Sequence, residues 1–418
     1  MIKIEKIVNL LIVALYLSIT DCFGLINDSY FNISGVGKLE DIFFLIMVLL
    51  GIFTISTQKK KVNKLIKFAI VFYMVFIIYL IFESIRVILS GQSLAETLRT
   101  IRYYFYPLVL LCFYNNRIDE SKSFRLIIIL EFISSLIYNI EFIIQKPILN
   151  GYYIYQNVGS LNLLRMYVGG SILPIFSLMF LQTLLINKKL NGKYFKKRTA
   201  IIMFISIFLN VVFTLSRASI IITALSCAFL ALFSISKKNI ILPITIILSF
   251  IIIFFLIIPI YIPSLNDRIM STFTDNQRLD GGDSGVRINM MEERITYLEN
   301  NNILLLGLGP YSENSGKVYF YSGSQHSIYT ADIGYAELII VLGFFGTIFF
   351  LAYYLYTCYL VNKSKSIFSK GYIIFLISSL ILLFDENSLI EANSIFIAII
   401  FSLIILNSLS PNFNNRGE

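Results

Sequence analysis

The chain has 418 residues, 57% of them hydrophobic and 14% charged, with 34 Lys and Arg against 25 Asp and Glu. Soluble domains average about 25% charged residues, so a soluble globular protein is excluded. The formal charge of +9 does not point to nucleic acid, because the lysines cluster in short segments between apolar runs, where they set membrane orientation.

In chain order, apolar runs recur near residues 7–26, 40–57, 66–89, 99–114, 124–145, 165–186, 199–215, 218–235, 240–262, 334–361, 371–386 and 390–409. They predict an all-α polytopic integral membrane protein of about twelve transmembrane helices. The first run reads as a retained helix, since Asp21 and Cys22 stand where a signal peptide would need small residues. Cys22, Cys112, Cys227 and Cys358 are scattered, with no metal-ligand spacing and no disulfide framework.

Placing the first end inside and alternating puts nearly all the lysines on one side, including Lys59, Lys60, Lys61, Lys64 and Lys67, and Lys188, Lys189, Lys193, Lys196 and Lys197. Both termini are then cytoplasmic. The chain divides into nine spans over 1–262, a large extracytoplasmic loop over 263–333 with short helices, and three spans with a cytoplasmic tail over 334–418. The basic residues left outside are mainly arginines: Arg86, Arg99, Arg102, Arg165, Arg217, Arg268, Arg278, Arg287 and Arg294. Arginine suits bidentate grip on phosphate or carboxylate. For Arg86, Arg99 and Arg102, snorkelling to headgroups is an equal reading.

Along the outer face, Glu40-Asp41 reads as a helix cap as readily as a metal-holding pair. The segment 146–164 holds Tyr152, Tyr153, Tyr155, Gln156, Asn157 and Asn162, which suit either a sugar platform or an interfacial aromatic belt. Arg217 lies in Thr214-Leu-Ser-Arg-Ala-Ser219, at the outward N-terminus of the next span. With Ser216 as a cap, its guanidinium and the free N–H groups suit an anion cradle, the alternative being an arginine that simply reaches water at a hairpin tip.

In the large loop, Asp280-Gly-Gly-Asp-Ser-Gly285 predicts a turn with Asp283 and Ser284 as caps. Ile288, Met291, Ile295 and Leu298 then predict an amphipathic helix over about 286–300, with Arg287 and Arg294 on one face beside the apolar stripe. Gly307-Leu-Gly-Pro310 predicts a tight turn. Tyr311, Tyr319, Phe320 and Tyr321 lead to Gln325-His326-Ser327 and then Asp332, which either orients the histidine or caps the next span. His326 is the only histidine, and its imidazole can take a proton near neutral pH. No Walker loop, HExxH, GxSxG or zinc cluster is present in the sequence.

A Ser-Arg turn between spans, an Arg-led loop helix, a Gly-x-Gly turn and a histidine ahead of a span with spaced glycines resemble the O-antigen ligase/polymerase superfamily. The residues are Ser216-Arg217, Arg287, Gly307-Leu-Gly309, His326-Ser327, Asp332-Ile-Gly334 and Gly343, over roughly 199–350. Met291 and Ser327 stand where the family often has an aromatic residue and Asn. The resemblance implies glycosyl transfer on the outer face of a bacterial cytoplasmic membrane, without metal or cofactor and with inversion at the anomeric carbon. A glycan on undecaprenyl diphosphate is the donor. The acceptor is another such unit in a Wzy-type polymerase, or lipid A–core in a ligase. Membrane lipids and a chain-length regulator protein are the further partners expected. His326, Arg217 and Arg287 are the catalytic candidates. Arg294, Arg165, Ser216, Tyr321, Gln325 and Asp332 are the substrate-binding candidates. A lipid-linked oligosaccharide flippase of similar span number stays open as an alternative, as does a channel built on Glu83, Glu131 and Glu141.

Overall fold

The computed structural model describes residues 4–24, 32–33, 37–57, 64–114, 118–146, 153–158, 161–166, 172–187, 194–214, 216–234, 283–312, 334–364, 366–384, 389 and 391–408. The run expected over 240–262 and the first part of the large loop, to residue 282, lie outside the described residues.

The described helices are α1 (Ile4–Ile19), α2 (Leu39–Thr57), α3 (Lys64–Leu89), α4 (Leu94–Ile101), α5 (Leu110–Tyr114), α6 (Glu120–Ile144), α7 (Ile172–Ile186), α8 (Lys197–Phe213), α9 (Arg217–Ser234), α10 (Asp283–Asn300), α11 (Gly334–Ser364), α12 (Ser369–Leu382) and α13 (Ser394–Ser408). Among the described residues, α2, α3, α6 and α11 are long and apolar enough to cross a membrane; α7, α9, α12 and α13 are apolar but shorter.

Among the described residues, two short antiparallel hairpins accompany the expected helices: β1 (Asn32–Ile33) pairs with β2 (Gly37–Lys38), and β3 (Tyr153–Val158) with β4 (Leu161–Met166). Three of the expected apolar runs need correction. The apolar alternation of 161–166 is strand, so the helix expected from 165 begins only at Ile172, and Arg165 stands on β4 opposite Ile154. The first helix stops at Ile19, because Asp21, Cys22 and Phe23 take left-handed φ values of 49°, 52° and 63°, which a continuing α-helix does not allow. The run 99–114 is not one helix but α4, a 3₁₀ segment (Arg102–Val109) and α5. Pro107 lies inside the 3₁₀ segment, where its missing N–H and ring deny an α-helical bond.

Burial shows which helices are central. Every residue of α13 from Ser394 to Ile405 is buried, as is α7 from Ile172 to Leu184. In α3 the buried positions Ala69, Tyr73, Phe76, Leu80, Glu83 and Val87 recur at helical spacing, while Val71, Val75, Ile78, Phe82 and Ile85 are exposed. A helix that is apolar on its outward face too is a lipid-facing helix. Rings join α3 to α11: Phe72 stacks on Phe349 at 4.4 Å between centroids, and Tyr79 meets Phe345 edge-on at 5.5 Å.

Glu131, one of the three acidic residues on which a channel would be built, lies at the middle of α6, buried, and accepts a 2.9 Å hydrogen bond from the Tyr16 hydroxyl. In a membrane interior such a pair ties two helices together, here α1 and α6.

Candidate functional site

The amphipathic helix expected in the large loop is present as α10, three residues longer at its start than expected. Asp283 and Ser284 are therefore its first helical residues and not its caps. Its packed face is Met291, Arg294, Ile295 and Leu298, with Glu292, Glu293 and Glu299 exposed. Arg294 thus stands within the apolar stripe and not beside it; it is 6% exposed. Burial pulls its pKa below the ordinary arginine value, with Glu293 opposing. Arg287 occupies the same helix two turns earlier.

Residues 301–312 carry the chain from α10 to the bundle. Asn302, Gly307 and Gly309 take positive φ of 55°, 74° and 99°, so Gly307-Leu-Gly309 is the tight turn its sequence predicts. The turn meets α11 where that helix is broken, at Gly343, whose φ is 63° and ψ −177°. A Cβ at Gly307 would stand 2.6 Å from the Ile340 carbonyl oxygen and overlap the Gly343 nitrogen; one at Gly309 would stand 2.6 Å from Val87 Cγ2. Only glycine permits both the dihedrals and the approach.

Arg86, for which snorkelling to headgroups and a grip on an anion are equal readings of the sequence, holds this turn. Its Nε donates to Glu83 Oε2 at 2.8 Å and its Nη2 to the Gly307 carbonyl at 2.8 Å. Ser90 Oγ and Tyr311 OH are 2.5 Å apart. The Gln92 amide donates to the Pro310 carbonyl at 3.0 Å and accepts from the Ser312 N–H at 2.7 Å. Tyr79, Glu83, Arg86 and Ser90 recur at three- and four-residue spacing. That spacing was the available signal; it passed unread because an isolated helix gives no hint of which loop it meets.

At the other motif, Arg217 is the first residue of α9. Ser216 caps it as expected: its Oγ accepts from the Ser219 N–H at 3.4 Å and lies 2.9 Å from Ser219 Oγ. The helix N-terminus therefore presents positive partial charge beside the arginine, an arrangement suited to an anion. The helices α9 and α10 are linked through packed neighbours, α10 on α11, α11 on α12 and α12 on α9.

Glu40 and Asp41 are both engaged by neighbouring elements. Asp41 accepts from the Lys38 N–H at 2.9 Å, from Tyr106 OH at 3.2 Å and from Arg102 Nη1 at 3.4 Å. Glu40 accepts from Ser18 Oγ at 3.3 Å. Tyr321, Gln325, His326 and Asp332 lie outside the described residues.

Residues 201–351 match a family model described as O-antigen ligase. No curated protein matches the chain.

Proposed function

We propose that this chain belongs to the O-antigen ligase/polymerase superfamily and joins undecaprenyl-diphosphate-linked oligosaccharide units into a surface polysaccharide on the outer face of a bacterial cytoplasmic membrane. One observation carries the reading: the O-antigen ligase match over 201–351 encloses Ser216, Arg217, Arg287, Arg294, the Gly307–Gly309 turn and His326.

In this mechanism Arg217 and Arg287 bind the donor diphosphate and stabilise the charge that develops as the anomeric C–O bond breaks. Fixed guanidinium groups and a helix N-terminus are suited to that task, and they need no metal. Arg294 and Arg165 are secondary contacts. Ser216 orders the helix start that faces the diphosphate, and Tyr321, Gln325 and Asp332 are further substrate contacts. His326 takes the proton from the acceptor hydroxyl as it attacks, and the displaced polyprenyl diphosphate leaves from the opposite face, inverting the anomeric centre. The donor and the acceptor are both lipid-linked units, the membrane supplies them, and a chain-length regulator is the expected protein partner.

The family description itself favours a second reading, transfer of the finished glycan to a lipid A–core acceptor. One assay separates the two. Purified protein receives defined lipid-linked repeat units, with and without lipid A–core; glycan ladders without the core identify the polymerase, and transfer only onto the core identifies the ligase. In the same assay Arg217→Ala and Arg287→Ala each lower turnover by roughly 10-fold or more, since a charge-assisted contact is worth about 1.5–3 kcal/mol. Arg217→Lys is impaired as well, because the charge survives but the planar fork does not. Wild-type rates in both alanine variants, at equal protein level, would place the diphosphate site elsewhere.

A further inference from the structure

The contacts between α3 and the loop run in step. Tyr79 OH donates to the Leu342 carbonyl at 2.6 Å and reaches the Leu306 carbonyl at 3.3 Å. Arg86 then holds Gly307, Val87 faces Gly309, Ser90 meets Tyr311, and Gln92 clips Pro310 and Ser312. From Tyr79 to Leu89 the helix rises about 15 Å at 1.5 Å per residue. The loop keeps pace along that rise from Leu306 to Ser312.

The break in α11 is repaired by the same loop. In an unbroken helix the Phe344 and Phe345 N–H groups would bond to Ile340 and Val341. Here Phe344 N–H donates to the Leu304 carbonyl at 3.0 Å and Phe345 N–H to the Leu305 carbonyl at 3.1 Å, while the Ile340 carbonyl accepts from Leu308 N–H at 2.7 Å. Backbone groups at membrane depth must be satisfied by protein, and non-helical chain is tolerated there only when it is so paired. The side chains agree with that depth. Leu305 is 69% exposed and Leu306 48%, on a molecule whose neighbouring exposed residues are Phe82 at 67% and Phe345 at 56%. Such a patch is stable against acyl chains and costly against water.

We propose that residues 303–312 are a re-entrant wedge seated in the outer half of the bilayer, and that the edge formed by Tyr79 and Arg86 of α3 with Ser90 and Gln92 in the turn just after it is the rail that sets where α10 stands over the reaction. Gln92 is the positioning residue at its upper end. Both ends of its amide are used on loop backbone, and Pro310 offers a carbonyl but no N–H, so a side chain with donor and acceptor together is needed there. The consequence for catalysis rests on the function proposed above; the rail itself does not.

Two measurements on the full-length protein test it. In a background with the four cysteines replaced by alanine, spin labels at Ala95 and Glu299, both exposed, report the distance from the rail to α10 by pulsed dipolar spectroscopy. One narrow distance is expected in the parent, and a distribution at least twice as broad in Gln92→Ala. With lipid-linked repeat units, the same variant is expected to lose about 10-fold in kcat with KM within twofold, the signature of a lost transition-state arrangement. Gln92→Asn, one methylene shorter, serves where Gln92→Ala is not recovered folded. An unchanged distance distribution overturns the rail. A broadened distribution with unchanged kcat overturns the positioning role. If the parent itself transfers no sugar, the function proposed above fails, and the distance measurement still decides the rail.

Discussion

Arg294 is 6% exposed among Met291, Ile295 and Leu298, on the face by which α10 is packed. A buried guanidinium is costly unless anionic or carbonyl partners match it, and its orientation is set by the packing around it. In the proposed mechanism, where Arg294 is a secondary contact, a guanidinium held by packing would need little reorganisation as the donor diphosphate binds. His326 is the complementary group in the proposed mechanism, and its role is basicity. General-base catalysis contributes about 10²–10⁴-fold, so His326→Ala is expected to lower kcat by that factor with donor binding nearly intact. The base works as neutral imidazole; the rate therefore falls as pH drops through the imidazole pKa, about 6.5 when unperturbed. His326→Gln keeps hydrogen bonding without basicity. Near-normal turnover in that variant, measured with purified protein and defined substrates, would remove the base role and leave arginine stabilisation of the leaving group alone.

Among the elements, the break in α11 is the one most dependent on a single residue. Gly343 combines φ 63° with ψ −177°, and a Cβ there would overlap the Leu305 carbonyl and the Gly307 nitrogen. Backbone dihedrals of this kind cost a non-glycine residue about 1–3 kcal/mol before any clash. Gly343→Ala is therefore expected to lower the thermal midpoint by several degrees, followed by size exclusion after heating. Gly91 provides the control: its φ is 106° but nothing lies within 4 Å of its added Cβ. Gly91→Ala carries strain without overlap and is expected to lose less. Equal losses in the two variants would mean that the loop does not press against α11 at Gly343. The pattern of Gly343 and Gly346 was visible in the chain; a break at the first was not, because a lone glycine is tolerated inside a helix until another strand of backbone occupies its face.

For the whole molecule, we propose from the lysine distribution that the segment near Asn191 lies inside and the large loop outside. A cysteine at Ser315 is expected to react with an impermeant thiol reagent from the outer face, and one at Asn191 only after the membrane is opened. The reverse pattern would invert the topology and with it the side of the proposed reaction. Span number shows the limit of hydropathy. The runs at 40–57 and 66–89 return as α2 and α3 almost residue for residue. The run at 99–114 breaks around Pro107, and the run from 165 begins as strand. Apolar content is common to a span, a buried strand and a 3₁₀ segment, so it signals burial in lipid or protein without naming the backbone.

The amino-acid sequence alone determined that this is a helical membrane protein, where its long apolar helices lie, that an amphipathic helix lies near 286–300, and which Ser-Arg and Gly-x-Gly motifs carry its resemblance to O-antigen ligases. Those properties are local or compositional: period, charge and a few residues at fixed spacing carry them. Tertiary structure decided the rest. It put Arg294 inside the packed stripe, closed Asp41 with Arg102 and Tyr106, buried α7 and α13 on every side, and threaded Gly307–Gly309 into the break at Gly343. It also turned Arg86 from a headgroup anchor into a clamp on a loop more than two hundred positions away. Each of these depends on which distant backbone comes to lie against a residue, and in a chain apolar nearly throughout, many partners satisfy the same pattern.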